Sequence, residues 1–338
     1  MPSHNVHDDL NVERPNKISR TTPTFKRACA ERAFVYLKFL YYLFYWENNW
    51  IQTTRYELAS RRLPAAFDGF VLAQVSDLHG KSFGRDSSKL LERVARERPN
   101  LVLITGDIVD EWSYDLEFVA RFVAQIGEIA PVLYVTGNHE GNFHDEYLAA
   151  TLDTIRRAGG KILLNERIAL ERDGNGARFV DAREPENAEE RIVVAGVSDP
   201  IRAGKTYMAL LETELRAVAE QDLKQDSEQG ERFQILMSHR PESGDLYARF
   251  GFDVVFAGHA HGGQTRIPWL LPQGLIAPHQ GWFPNATSGV KRYGDSTLVI
   301  SRGLGPSVAP TRIFNRPELV VCKLRRVEND REEIPPVH

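Results

Sequence analysis

The sequence predicts an α/β fold with parallel central strands, and three observations predict it. Short apolar runs alternate with segments of helical spacing. Proline and glycine punctuate the junctions. Nearly every apolar run ends at an Asp, Asn or His, which is where an open α/β sheet presents its functional side chains. Residues 1–24 are polar, contain Pro2, Pro15 and Pro23, and are expected to be disordered. Residues 25–62 form an aromatic segment, with helix expected over 25–60, and the main domain spans 63–326 after a linker at 63–69. Residues 70–76 read as a strand ending at Asp77. Leu90, Leu91, Val94 and Ala95 carry helical spacing within 86–98, which stops at Pro99. A second strand, 101–105, ends at Gly106-Asp107, and Leu116, Val119, Phe122, Val123 and Ile126 line the next helix. The third strand, 131–136, ends at Gly137-Asn138-His139 and is followed by a helix over 147–158.

The middle of the chain is richer in strand. Residues 161–164 and 168–171 have strand character, and Asp173-Gly174-Asn175-Gly176 is a turn signal. An acidic surface loop at 181–190 precedes a strand at 191–196, a helix at 205–222 and a charged loop at 223–231. Strands at 233–237 and 252–257 end near His239 and at Gly258-His259. Residues 297–301 and 318–324 are expected to close a second sheet, and 327–338 form a loose tail.

Bulk composition restricts the functional classes. The 338 residues are 42% hydrophobic and 26% charged, as in an ordinary globular protein, and allow one large domain or two. A net charge of −4 gives no broad attraction to nucleic acid. Cys29 and Cys322 are too few for a disulfide framework or a zinc knuckle, which suits a reducing compartment. Residues 1–32 lack an apolar core followed by a small-residue cleavage site, so no ordinary secretory leader is expected. Residues 33–46, AFVYLKFLYYLFYW, carry Lys38 as their only charge. As a helix this run would be about 21 Å long, short of the ~20 residues that cross a bilayer. Tyr36, Tyr41, Tyr42, Tyr45 and Trp46 are amphipathic aromatics suited to a membrane interface. Lys26, Arg27 and Arg32 before the run and Arg55, Arg61 and Arg62 after it suit anionic headgroups. The segment is therefore a candidate membrane anchor, and the expected location is cytoplasmic, peripheral at the inner membrane face. The alternative is a helix packed on the main domain or on a second subunit.

The strand ends collect metal-type side chains: Asp77, His79, Asp107, Asn138, His139, His239, His259 and His261. Asp and His suit divalent first-row metals. A single catalytic zinc uses about three protein ligands, so this surplus fits two ions bridged by one carboxylate. Such ions sit ~3.5–4 Å apart and clamp the attacking and leaving oxygens of a displacement. Each short motif is weak alone, and the ordered conjunction at strand ends carries the inference. No Walker A sequence is present. Arg266, Trp269, Trp282 and Arg302 are candidates either for a substrate pocket or for structure.

The order D-x-H, G-D, G-N-H, H, G-H-x-H resembles the calcineurin-like metallophosphoesterase superfamily over residues 70–325. Ser238-His239-Arg240-Pro241-Glu242, Gly258-His259-Ala260-His261-Gly262-Gly263-Gln264, and Ser301-Arg302-Gly303-Leu304-Gly305 with Arg312, Asn315, Pro317 and Glu318 resemble its bacterial YkuE/YaeI-like branch. The resemblance implies a four-layer αββα sandwich, two mixed β-sheets flanked by helices, here with an N-terminal aromatic helix. It assigns Asp77, His79, Asp107 and His261 to one metal, and Asp107, Asn138, His239 and His259 to the other. His139 would then be catalytic, protonating the leaving oxygen or stabilising the transition state. Ala260 stands where the family usually has Thr or Ser. Glu140 and Asp110 are candidates for orienting ligands, with a solvated loop carboxylate preferred for Asp110.

The expected activity is dinuclear metal-dependent hydrolysis of a phosphodiester or pyrophosphate by metal-bound hydroxide, with Mn, Fe, Zn or Co as the ions. The aromatic segment makes a lipid-linked phosphoester plausible. The resemblance suggests UDP-2,3-diacylglucosamine, which some related bacterial enzymes cleave at its pyrophosphate. Alternatives are a phospholipid, soluble general or cyclic-nucleotide phosphodiesterase, or a non-catalytic metal-binding scaffold.

Overall fold

The computed structural model describes residues 23–174, 176–181, 190–220, 232–306 and 311–328. Contacts divide the chain into two compact units, Met1–Tyr42 and Leu43–His338. In the first, helix α1 (Pro23–Tyr41) carries most of the aromatic run. The second begins within a wider π turn at Tyr42–Trp46, continues through a single turn, α2 (Glu47–Asn49), and then enters strand β1 (Gln52–Ser60).

One sheet of the second unit contains β1, β2 (Val71–Val75), β3 (Leu101–Thr105), β4 (Val132–Val135) and β5 (Lys161–Ile162), with the last strand, β15 (Glu318–Arg326), inserted between β1 and β2. All neighbours run parallel except β15 and β2. The other sheet is built from β6 (Glu166–Asp173), β7 (Gly176–Val180), β8 (Ile192–Gly196), β9 (Gln234–Met237), β10 (Val254–Ala257), β13 (Gly289–Tyr293) and β14 (Ser296–Ile300). Its order is β13-β14-β10-β9-β8-β6-β7, with a parallel centre and antiparallel flanks. A separate hairpin pairs β11 (Ile276–Ala277) with β12 (Gly281–Trp282).

Side-chain alternation along the strands creates the layers. On β3, Val102 and Ile104 pack with α3 (Ser88–Glu97), α4 (Leu116–Gly127) and α6 (Asp145–Arg157), through Leu90, Phe122 and Ile155. Leu101 and Leu103 face the other way, into a core shared with Ile235, Met237 and Phe256 of the second sheet. The outer face of that sheet, including Leu236 and Val255, is covered by Leu211, Leu215 and Val218 of α7 (Tyr207–Glu220). Both central sheets are thus buried on two faces, and their strands read as continuous apolar runs. The chain has the expected α/β architecture of two mixed sheets flanked by helices.

Two expectations need correction. Helix was expected through residue 60, but Gln52–Ser60 is a strand paired in parallel with Glu318–Arg326 along its whole length. Thr53, Thr54 and Tyr56 favour that extended state once a partner strand is available. Residues 318–324 were assigned to the second sheet, yet β15 lies in the first. A doubly buried strand has the same apolar pattern in either sheet, so periodicity cannot choose its neighbour. The expectations for residues 1–22, for most of 181–190, for the loop at 223–231 and for the tail beyond 328 lie outside the described residues.

Candidate metal centre

The carboxyl ends of β2, β3, β4, β9 and β10 deliver the polar residues to one place. Nδ1 of His239, just beyond β9, donates to the Thr105 carbonyl at the end of β3 over 2.8 Å. The His259 N–H, beyond β10, reaches Asp77 Oδ1 at 2.9 Å. The His139 N–H, in α5 (Asn138–Asn142), reaches Asp107 Oδ1 at 2.9 Å. The bonds of His239 and His259 thereby stitch the two sheets together.

Backbone conformation turns these side chains inward. Asp77, His79, Asp107, His259 and His261 all have φ between 46° and 67°. For non-glycine residues that region costs about 1 kcal/mol or more each, and such strain gathers at functional sites. Gly106 reaches φ 90°, and a Cβ there would lie 2.8 Å from His239 Nδ1. Gly137 is needed for a different reason: a Cβ would come within 2.1 Å of Asp107 Oδ1.

Two groups of potential ligand atoms share one residue, and a third, of Glu242, His259 and His279, shares His259 with the second of them. Asp77, His79, Asp107 and His261 form the first, Asp107, His239 and His259 the second, with the atoms in each group within 4.8 Å of one another. In the first, His261 Nε2 is 3.3 Å from Asp77 Oδ1 and 3.2 Å from His79 Nε2. In the second, His239 Nε2 is 3.1 Å from Asp107 Oδ2 and 3.1 Å from Asn138 Oδ1. His139 belongs to neither group. It is half-buried, and its ring stands edge-on to His79 at 4.6 Å.

The electrostatics suit cations. Burial pushes the Asp77 carboxyl up to about 6, against the pull of His239. Burial also opposes ionisation of Asp107, but His239 beside it holds that carboxyl well below its ordinary range. Burial works against a charge on His239 too, yet Asp107 and Asp77 raise it to about 10. Burial depresses His79 to about 4 and holds His259 and His261 well below the imidazole range, leaving neutral rings with a lone pair to give. Asp77 Oδ2 is buried without a hydrogen-bond partner. Two buried carboxylates, neutral imidazoles and an orphaned oxygen fit divalent metal ions.

A surrounding set of residues holds this arrangement. The buried Glu140 carboxylate accepts N–H groups from Asp107, Ile108 and Gly137 at 2.7–2.9 Å. Asp110 departs from the solvated carboxylate expected of it: Oδ2 lies 3.7 Å from His79 Nδ1, and Oδ1 accepts the Ser113 N–H and hydroxyl. Arg312 Nη2 meets His261 Nδ1 at 3.2 Å, and Asn315 Nδ2 donates to the His261 carbonyl at 2.7 Å. Arg302 is taken up by an ion pair with Glu318 at 2.9 Å, and Arg266 donates to the Pro272 carbonyl. Trp269 and Trp282 are exposed.

Sequence reasoning missed two residues. Asp199 forms a buried bidentate pair with Arg240, Oδ2 to Nε at 2.7 Å and Oδ1 to Nη2 at 2.9 Å. His279 Nδ1 lies 2.9 Å from His259 Nε2. No motif marks either: Asp199 stands just beyond β8 and His279 in an irregular stretch, and only the fold brings them to their partners.

The profile of the calcineurin-like phosphoesterase family matches residues 70–263, more than half of the chain. The protein belongs to that family. Its relatives include the uncharacterized metallophosphoesterase YkuE of Bacillus subtilis, 25% identical over 84% of this chain and 89% of that protein. The phosphodiesterase YaeI of Escherichia coli is 23% identical over 84% of this chain and 92% of its own length. The UDP-2,3-diacylglucosamine pyrophosphatase LpxG of Chlamydia trachomatis is 21% identical over 77% and 85%. These relatives place the chain in the bacterial YkuE/YaeI-like branch, and the phosphoesterase family implies a phosphoester hydrolase.

Proposed function

We propose that this protein hydrolyses a phosphodiester or pyrophosphate at two divalent ions that share Asp107. The observation that carries the proposal is the pair of ligand groups with Asp107 in common and His139 in neither. Asp77, His79, Asp107 and His261 would hold one ion, and Asp107, Asn138, His239 and His259 the other. When bound, such ions lower the pKa of water and neutralise charge on the phosphoryl oxygens. His139 supplies a proton to the departing oxygen. The test is turnover of bis-p-nitrophenyl phosphate by the chelator-treated full chain after addition of Mn, Fe, Zn or Co. Metal-dependent turnover that Asp107→Ala abolishes supports the proposal. No turnover with any ion, or equal turnover by Asp107→Ala, defeats it.

We further propose a lipid-linked substrate, UDP-2,3-diacylglucosamine, cleaved at its pyrophosphate to UMP and the lipid phosphate. Three observations support it. A relative carries that activity in its name. Phe34, Val35, Leu37 and Phe39 of α1 are all more than half exposed, a surface suited to the interfacial plane of a membrane. Trp269 and Leu270, 98% and 72% exposed, stand on a loop whose base, Gln264, shares Asn315 with the ligand residue His261. Among the described residues no helix is long and apolar enough to cross a membrane, and the attachment we propose is peripheral, at the inner face. Mass spectrometry of UDP-2,3-diacylglucosamine incubated with the Mn-loaded chain should show UMP. Its absence beside turnover of another diester reassigns the substrate. Flotation with anionic liposomes tests the surface: the full chain should float, and the triple substitution Phe34→Ser, Leu37→Ser, Phe39→Ser should abolish flotation.

A further inference from the structure

His279 occupies the turn between β11 and β12, outside every ligand motif, with φ 57°. Its ring is exposed, yet its Nδ1 lies 2.9 Å from Nε2 of the buried His259, with ring centroids 5.1 Å apart and planes tilted by 30°. Two ring nitrogens at that distance share one proton: one donates, the other accepts. His259 therefore has its Nε2 engaged, and Nδ1 is the nitrogen free for an ion. A neutral imidazole has one N–H and one lone pair. A lone pair on Nδ1 for the metal requires the proton on Nε2, which makes His279 Nδ1 the acceptor and puts the His279 proton on its own Nε2.

His239 shows the same device on the neighbouring ligand. Its Nδ1 donates to the Thr105 carbonyl, leaving Nε2 to face Asp107 and Asn138. In one case the acceptor is a backbone carbonyl of the sheet, in the other a side chain on a loop. Outer hydrogen bonds of this kind set the tautomer and orientation of a metal-ligating histidine. The rings of His239 and Tyr207 also lie against this pair, and the Glu242 carboxylate is within 4.8 Å of ligand atoms of both histidines. Its Oε2 has no hydrogen-bond partner, so the short contact at His259 is made by His279.

We propose that His279 is a positioning residue for the metal centre: it accepts the His259 Nε2–H and so presents the Nδ1 lone pair to the ion shared by Asp107, Asn138 and His239. The inference rests on the two-ion reading and adds to it a loop residue on which one ion depends selectively.

Three variants of the full chain separate acceptor chemistry from packing. His279→Asn can place an oxygen where Nδ1 was. His279→Gln places one where Nε2 was, and His279→Phe keeps an aromatic ring without an acceptor. Each chelator-stripped protein is titrated with Co(II), read by its visible absorption and by elemental analysis of bound metal. The parent should bind two ions. His279→Phe and His279→Gln should weaken one of them about 10–100-fold and leave the other unchanged, while His279→Asn stays close to the parent. Parent-like binding by His279→Phe overturns the inference, and so does equal weakening in His279→Asn and His279→Phe. A parent chain that binds fewer than two ions overturns the two-ion reading instead. Because the His279 side chain is exposed on a loop, circular dichroism should report the parent fold in all three.

Discussion

The Glu140 carboxylate accepts the backbone N–H of Asp107 at 2.9 Å. The same oxygen takes the N–H of Gly137 at 2.8 Å, and the other takes that of Ile108 at 2.7 Å. One side chain thus clamps the loops after β3 and β4, which carry Asp107, Asn138 and His139. Burial and the nearby Asp107 push the Glu140 carboxyl up to about 7, while the N–H donors favour its ionised form. Glu140→Gln turns an amide N–H toward backbone donors and should cost about 1–3 kcal/mol. Thermal unfolding checks the loss, and retained bound metal should fall with it. An unchanged melting temperature would remove Glu140 from this role.

His139→Ala should separate chemistry from metal binding. Loss of a positioned general acid costs roughly 10²–10⁴ in rate, and His139 is outside both ligand groups. Bound metal should stay at the parent level while kcat falls for a phosphodiester with an alkoxide leaving group. The loss should shrink with p-nitrophenolate, which departs without a proton. An equal loss for both leaving groups would argue against proton donation.

Glu318 predicts a pH dependence. It is buried and accepts from Arg302 through the backbone N–H and the guanidinium, both at 2.9 Å. Burial opposes its ionisation, but Arg302 holds its folded pKa below the ordinary 4.5. A depressed carboxylate pKa contributes stability above the unfolded value, and that contribution is lost as pH falls through the folded value. Glu318→Gln should therefore lower the urea midpoint near neutrality, and the gap from the parent should narrow from about pH 5 to pH 3. A gap that stays constant would show that the charge contributes nothing.

Asp199 and Arg240 make a buried pair beside His239. Asp199→Ala removes both short bonds to the guanidinium, leaving it the longer contact with Glu242 at 3.4 Å, and should destabilise by about 3 kcal/mol. Replacing both, with Asp199→Ala and Arg240→Met, should recover part of the loss because the guanidinium that lost its main partner is gone, although Glu242 then loses its own pairing with Arg240. Denaturant midpoints of the two variants decide this, and no recovery in the double variant would contradict it.

Much of the site can be read along the chain because strand ends are marked locally. Asp77, Asp107, Asn138, His239 and His259 each follow a short apolar run, and in an α/β sheet such positions gather at one edge. Other features leave no local mark. Gln52–Ser60 becomes a strand because Glu318–Arg326 lies beside it, more than 250 residues away. Nothing in the local sequence marks the left-handed backbone of five candidate ligand residues, Asp77, His79, Asp107, His259 and His261. Asp110 resembles any loop acid until Ser113 turns it toward His79.

Read linearly, the chain specifies the alternation of elements, the metal-type residues and their order, since periodicity and motif are properties of neighbours. Folding decides which ligands stand together, that Asp107 belongs to both groups, and that His279 reaches His259. Those relationships depend on strand order and on loops packed between two sheets, and such long-range pairings are set by burial and hydrogen bonding across the whole domain.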